Sequence, residues 1–205
     1  MTLVAAALDS LTLAGEHVRL EPLAQRHHDG LCEAVRDGEL WKLPVTMVPH
    51  PDGMRAWIEA AQAAHAAGTD LAFATVEQAT GRIAGSTRYL KVVREHRRLE
   101  IGWTFLGRSW QRTAVNSEAK LLMLGHAFET LGMQRVELLT DARNAASRAA
   151  IARIGATEEG VLRRHMVMWD GAVRDSVLFS VTDEDWPAAK AALTARLARS
   201  APRSG

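Results

Sequence analysis

Leu99-Glu100-Ile101-Gly102-Trp103-Thr104-Phe105, the loop Leu106 to Asn116 and the segment Ser117 to Leu131 together decide the fold. The first piece alternates Leu99, Ile101, Trp103 and Phe105 with Glu100, Gly102 and Thr104. That period of two predicts a strand with the two sets on opposite faces. In the third piece Leu121, Leu124, Phe128 and Leu131 recur at helical spacing, and Gly132 closes the run. Arg135 to Thr140 is apolar and β-branched enough to read as a strand again. Strand, helix and strand joined in this order predict a crossover unit whose two strands run parallel.

Working outward, His17 to Pro22 reads as a strand, Gln25 to Arg36 as a helix and the proline-rich Leu43 to Pro51 as irregular. Asp52 to Ala67 reads as a helix ended by Gly68. Leu71 to Val76 and Ile83 to Leu90 read as strands joined by a turn at Thr80-Gly81, followed by a charged loop from Lys91 to Arg98. Beyond the crossover, Asn144 to Ile154 is a helix closed by Gly155. Val161 to Trp169 and Val173 to Val181 flank Asp170-Gly171, a strong hairpin signal. Strict alternation there sets Arg164 opposite Arg163 and His165, and this basic stretch either lines an acceptor groove or is a solvated face. Thr182 or Asp183 caps a last helix with Pro187 early in it, and Arg199 to Gly205 is expected to fray. The expectation is an α/β fold of the α+β type. It forms one domain over residues 1–205, with its core at about 15–186 and a mostly antiparallel mixed sheet of about seven strands flanked by helices.

Composition excludes more than it selects. A net charge of +1 gives no bulk attraction for nucleic acid. The run Val4 to Leu8 is short and has no basic residue before it, so no signal peptide is expected, and no stretch reaches the ~20 apolar residues of a membrane span. The lone Cys32 falls in an apolar-periodic stretch and reads as a small core residue. A cytoplasmic protein is expected. The histidines, among them His27, His28, His50, His65, His96, His126 and His165, show no metal-ligand spacing, so no metal is expected.

The loop Leu106 to Asn116 enters a helix, where unpaired amides and the helix dipole favour an anion. Arg108 and Arg112 add charge. On these residues alone the loop is either a phosphate cradle or an ordinary connection with solvated arginines. Glu100 is a carboxylate on a strand with apolar neighbours, so it either lies on a solvated face, pairs with an arginine from a neighbouring strand, or is functional.

The motifs Leu99-Glu100-Ile101-Gly102-Trp103, Trp110-Gln111-Arg112-Thr113-Ala114-Val115-Asn116-Ser117-Glu118-Ala119-Lys120, Arg135 to Asp141, Asn144 to Ile151 and Ile154-Gly155-Ala156 resemble the GNAT superfamily of N-acetyltransferases. The likeness is nearest to its RimJ/RimL branch, which acetylates N-terminal amines of ribosomal proteins, and extends from His17 to about Trp186. It implies acetyl-CoA as cosubstrate, with its pyrophosphate on the amides of Gln111, Arg112, Thr113, Ala114, Val115 and Asn116. Ala114 stands where the family has glycine, and Asn116 where it has glycine or alanine; alanine fits if its φ is negative, and asparagine tolerates a left-handed backbone or a cap. It further implies that Ile101, Gly102, Trp103 and Thr104 line the pantetheine arm, that Asn144 bonds the same region and that Trp103 and Trp110 flank the cofactor.

Acyl transfer to an amine needs a base, donors for the developing oxyanion and a proton for the leaving thiolate. Glu100 is the expected base, and amides near Trp103 and Thr104 are the expected donors. The chain's one tyrosine, Tyr89, lies on another strand, so Ser147 is the expected acid by matching position. By the resemblance, Trp41 and Trp57 belong to the acceptor wall, although packing suits Trp57 as well, and a homodimer is expected. The acceptor is a peptide or protein N-terminal amine, or alternatively a small amine such as an amino acid, polyamine or antibiotic. A non-catalytic CoA-binding module is the reading from another class.

Overall fold

The computed structural model describes residues 8–200; the Val4 to Ala7 part of the N-terminal run and the last five residues lie outside the described residues. Short strands β1 (Leu13–Ala14) and β2 (Val18–Pro22) lead into helices α1 (His28–Arg36) and α2 (Met54–Ala66). Strands β3 (Leu71–Glu77), β4 (Ile83–Val93) and β5 (Arg98–Leu106) follow, then helix α3 (Ala114–Gly125) and strand β6 (Arg135–Asp141). Helix α4 (Ala145–Ala152), strands β7 (Thr157–Val167) and β8 (Val173–Thr182) and helix α5 (Trp186–Ser200) complete the chain. One eight-stranded sheet results, in the order β1-β2-β3-β4-β5-β6-β8-β7. The strand beyond the expected count is β1, whose two residues are too few to show a period. Every neighbouring pair is antiparallel except β5–β6, which is parallel as the crossover reading requires.

Both faces of the sheet are covered. On one, Leu20, Phe73, Tyr89, Leu99, Ile101, Val136 and Phe179 pack with Met123 and Leu124 of α3 and Leu193 of α5. On the other, Ala72, Ala74 and Phe105 pack with Leu31 and Val35 of α1 and Ile58 of α2. Cys32 is buried in this second layer, as a small core residue should be. Each fully buried leucine or isoleucine adds about 2 kcal/mol of transfer free energy.

A backbone irregularity corrects the face assignment for β5. Ser86 pairs with Phe105 and Arg88 with Gly102, so two steps on β4 face three on β5. Trp103 takes up the extra residue with φ of 49°, a left-handed backbone. Such a bulge reverses the alternation beyond it. Thr104 therefore joins the α3 face, where its hydroxyl meets Thr87 and Lys120. Trp103 and Phe105 turn to the α1–α2 face, against Arg88 and Trp57 respectively.

Other boundaries move for local reasons. The charged stretch after Leu90 continues β4 to Val93 and turns tightly through Arg94–His96, with Lys91 left-handed at φ of 51°. Helix α3 starts at Ala114 because Thr113 Oγ1 caps the Val115 amide, and it passes into a π-helical turn at His126–Thr130. Its fully buried seats are Val115, Ala119, Met123 and Leu124, while Leu121, Phe128 and Leu131 pack at the rim. Strand β7 begins four residues earlier than its apolar run, at Thr157, and bulges between Leu162 and Met166. Arg164 has φ of 51° there, and the bulge overturns the simple alternation of Arg163, Arg164 and His165. Helix α5 runs through Ser200, past the expected start of fraying.

Glu118 ties the first strand region to α3. Its carboxylate accepts from the amides of Glu16, His17 and Val18 at 2.9, 2.6 and 2.7 Å. This anchors the entry of β2 to the helix that leaves the β5 loop.

Candidate active site

Strands β5 and β6 pair only at Arg98–Arg135, Leu99–Val136 and Glu100–Glu137, and then separate. The divergence opens a notch in the middle of the sheet, with an unpaired edge on each arm. Ile101, Gly102, Trp103 and Thr104 all lie on the β5 arm beyond the last pair.

Glu100 stands at the foot of the notch on the α1–α2 face. It is 6% exposed, and its Oε2 lies 2.8 Å from Lys91 Nζ. The carboxylate is thus neither solvated nor paired with an arginine: its partner on the neighbouring strand is a lysine, and it borders the opening. A Cβ built on Gly102 would fall 2.9 Å from Glu100 Oε1, so the glycine leaves room for the carboxylate to fold along its own strand. Beside it Arg88 is buried between the rings of Trp57 and Trp103, 5.1 and 4.9 Å from their centroids, with Asp70 3.3 Å away.

The far wall of this face comes from β6, β7 and β8. Asp141 holds Arg143 through Nε at 3.0 Å and Nη2 at 2.8 Å, and this pairing keeps its carboxyl below the usual range. Arg143 also reaches the Pro44 carbonyl at 3.3 Å, bringing the loop after α1 over the wall. Ser176 Oγ accepts from Arg174 Nε at 2.9 Å and lies 3.0 Å from His165 Nδ1. Burial, with Lys91 and Arg174 nearby, pushes the His165 pKa down despite Glu100.

On the opposite face the β5–α3 loop leads into the N-terminus of α3, where Thr113, Ala114 and Val115 border a pocket with Glu16, His17 and Gln78. Arg108–Trp110 forms a tight turn, Gln111 is extended and Arg112 is left-handed at φ of 64°. Gln111 Nε2 donates to the Leu106 carbonyl at 3.0 Å, and Thr113 Oγ1 to that of Trp110 at 2.8 Å, which fixes the loop. Ala114 is helical, so a side chain fits there, and Asn116 sits inside the first turn. The cap is Thr113 and the left-handed residue Arg112, not Asn116. Trp110 is 5% exposed and packs in the core under Arg82.

Two further placements bear on the site. Asn144 caps α4, its Oδ1 accepting from the Ser147 amide at 3.0 Å. Ser147 is half-buried in the first turn of α4, on the β6 arm. Lys120 of α3 is wholly enclosed, and its Nζ lies 2.9 Å from Thr104 Oγ1 and 3.3 Å from Thr87 Oγ1. Burial pushes its pKa down to about 7. Tyr89 is fully buried and donates to the Met123 carbonyl at 2.6 Å. His126, next to it at 3.3 Å, is locally bonded.

A parallel pair that splays open, a bulge on its first arm and a loop from that arm into a helix N-terminus combine with the sequence of residues 17–157, which matches the profile of the acetyltransferase (GNAT) domain. The chain belongs to the GNAT acetyltransferase family. A GCN5-related N-acetyltransferase from Brucella melitensis is 32% identical, with a TM-score of 0.82, over 93% of this chain and 86% of that one. RimJ of Mycobacterium smegmatis, solved in complex with CoA-disulfide, shares the fold at 23% identity and a TM-score of 0.78, over 91% of this chain and 95% of that one. The uncharacterized N-acetyltransferase YoaA of Bacillus subtilis (strain 168) is 28% identical over 102 residues, 50% of this chain. The chain spans about half the length of that relative, 56%.

The GNAT fold uses acetyl-CoA. The first-turn amides of α3 other than Val115 have no acceptor inside the helix, and Arg112 stands beside them. The free edge of β5 can pair with an extended amide-bearing arm. Among the described residues no group of three or more His, Cys, Asp or Glu is placed to hold a metal ion. No helix among them is long and apolar enough to cross a membrane.

Sequence reading missed Lys91, Lys120, Asp141, Arg174 and Ser176. Lys120 left a trace, a cation three residues before the buried Met123 and four before the buried Leu124 on one helix. Arg174 and Ser176 left one too, as polar residues at a two-residue step in an apolar strand. Lys91 left none, because its position depends on a left-handed residue at the end of a bulged pair.

Proposed function

We propose that this protein transfers an acetyl group from acetyl-CoA to a primary amine, with Glu100 as the general base. The observation that carries this is Glu100 itself, a nearly buried carboxylate at the foot of the notch on the face opposite the α3 N-terminus. The cosubstrate supplies an activated acyl group as a thioester. Ile101, Gly102, Trp103 and Thr104 offer the backbone edge along which its arm lies. The amides of Gln111, Arg112, Thr113, Ala114, Val115 and Asn116 hold its phosphates, and the free amide nitrogen of Asn144 adds a donor. Glu100 takes the proton that keeps an ammonium from attacking. Amides at the Trp103–Thr104 bulge stand ready for negative charge developing on the acyl oxygen. Ser147, on the β6 arm, is the candidate proton donor to the departing thiolate.

Within this reading the acceptor placed first is a peptide or protein N-terminal amine, on the RimJ/RimL likeness, with a small amine as the alternative. A cytoplasmic setting goes with either. The test is Glu100→Gln: the acetylation rate falls and the pH profile shifts, while acetyl-CoA affinity stays nearly intact. Unchanged kinetics remove Glu100 from the mechanism, and a wild-type chain that does not bind CoA removes the whole reading.

A further inference from the structure

Arg174 is an arginine nine-tenths buried that uses one nitrogen, Nε, in a hydrogen bond among the described residues. Its Nε donates to Ser176 Oγ at 2.9 Å, and the same hydroxyl lies 3.0 Å from His165 Nδ1, so the guanidinium is held by a built contact. Neither of its terminal amino groups makes a hydrogen bond or ion pair among the described residues. The nearby acids are already engaged. Asp141 takes two nitrogens of Arg143, and Glu100 takes Lys91 at 2.8 Å. The arginine keeps its charge at any working pH, so a positive fork faces the site without an anion of its own.

The strand registers put this fork on the catalytic face. Glu100 pairs with Glu137, and Glu137 with Ser180. Ser176 and Arg174 follow Ser180 at even steps along β8, hence on the same face as Glu100. Lys91 and Arg143 are neutralised by Glu100 and Asp141, so Arg174 carries the uncompensated charge of this group, which favours an anionic acceptor over a polyamine.

We infer that the acceptor is an amine carrying a carboxylate close to its amino group, and that Arg174 seats that carboxylate. A planar fork with two open nitrogens matches a carboxylate bidentately. Ser176 and His165 fix the fork's orientation. This inference rests on the acyl-transfer reading and narrows it. The carboxylate can come from a free amino acid or from an acidic side chain at the start of a peptide.

The experiment compares initial rates of acetyl transfer to free L-amino acids and their α-amides. A second arm compares tetrapeptides beginning with Asp or Glu with the same peptides beginning with Asn or Gln. The wild type favours the carboxylate member of one arm by about tenfold to a hundredfold in kcat/KM, the range for a hydrogen-bonded charge pair. The arm that responds identifies the source. Arg174→Gln collapses that preference toward one through KM, and Arg174→Lys, which keeps the charge, restores part of it. Calorimetric binding of the same acceptors to the CoA-loaded protein reads the preference without turnover. Equal use and equal binding of acid and amide in both arms overturn the inference. If CoA still binds and neutral amines are still acetylated, the acyl-transfer reading survives; if neither occurs, that reading has failed first.

Discussion

Lys120 Nζ reaches across from α3 to lie 2.9 Å from Thr104 Oγ1, the first side chain beyond the bulge in β5. Thr104 and Thr87 face each other at 2.8 Å, and the ammonium bridges both hydroxyls. The contact pins the bulged arm of the notch to the helix that faces it. It does so with a buried group that has two hydroxyl partners and no carboxylate, which is why burial lowers its pKa to about 7.

That depressed value sets a pH dependence of stability. The folded form binds fewer protons at Lys120 than the unfolded chain between pH about 7 and the unfolded lysine value near ~10.4. Stability therefore rises with pH across that window, and below it the cost of burying the ammonium applies in full. From pH 7 to pH 9 this residue alone contributes about 2 kcal/mol. Urea unfolding of the wild type and of Lys120→Met at both pH values measures it: the variant should lack the rise. An equal rise in both proteins assigns the effect elsewhere.

Gly102→Ala separates the position of the Glu100 carboxylate from its presence. The new methyl would sit 2.9 Å from Glu100 Oε1 and 3.1 Å from Leu90 Cδ2. Both are ends of flexible side chains, so stability changes by less than about 1 kcal/mol. The carboxylate must move, and the acetylation rate should fall by about tenfold or more, because small misplacements of a reacting group are costly. A melting temperature nearly unchanged with the rate lost supports the role of Glu100. An unaffected rate argues that the carboxylate tolerates displacement or does not act.

The layout of the sheet was legible because the signals it depends on are local. Asp170-Gly171 and Thr80-Gly81 marked hairpins whose glycines are indeed left-handed, and the period change at Leu99 marked the crossover. The inward turn of Thr104 was not legible: Gly102 within a strand is a mark of a bulge or of a close approach, but it does not say which of the two, and one extra residue reverses every side chain after it. Glu100 could be picked out because a carboxylate among Leu99, Ile101 and Gly102 is anomalous. Arg174 could not, because its significance lies in the partners it lacks, and those are known only once Arg143 and Lys91 have taken Asp141 and Glu100.

Glu118→Ala should be among the more damaging single changes in the fold. Three amides, of Glu16, His17 and Val18, would lose their common acceptor, and the Val18 amide is buried. At typical values for hydrogen bonds to a charged group the loss is roughly 3 kcal/mol or more. Glu118→Gln keeps one acceptor oxygen and should cost less. Denaturant midpoints of the two variants test the order, and equal, small shifts would show that water replaces the carboxylate at the start of β2.

Arg112 combines two properties that substitution can separate: a left-handed backbone at φ of 64° and a positive charge beside the α3 N-terminus. A non-glycine residue in that conformation costs about 1 kcal/mol, and glycine adopts it freely. Arg112→Gly should therefore keep the loop's shape and lose only the charge, whereas Arg112→Ala loses the charge and keeps the backbone cost. If the loop cradles phosphates, both variants bind CoA more weakly by about twofold to fivefold at low salt, the scale of an exposed charge near a helix terminus. The deficit should shrink in ~0.5 M salt, where exposed charges are screened. Alanine should fall below glycine in affinity only if the left-handed turn itself aims the amides of Thr113 and Ala114. CoA titrations of both variants at two salt concentrations decide the matter: a deficit that persists at high salt assigns Arg112 a geometric role, and no deficit at either concentration removes this residue from the cradle.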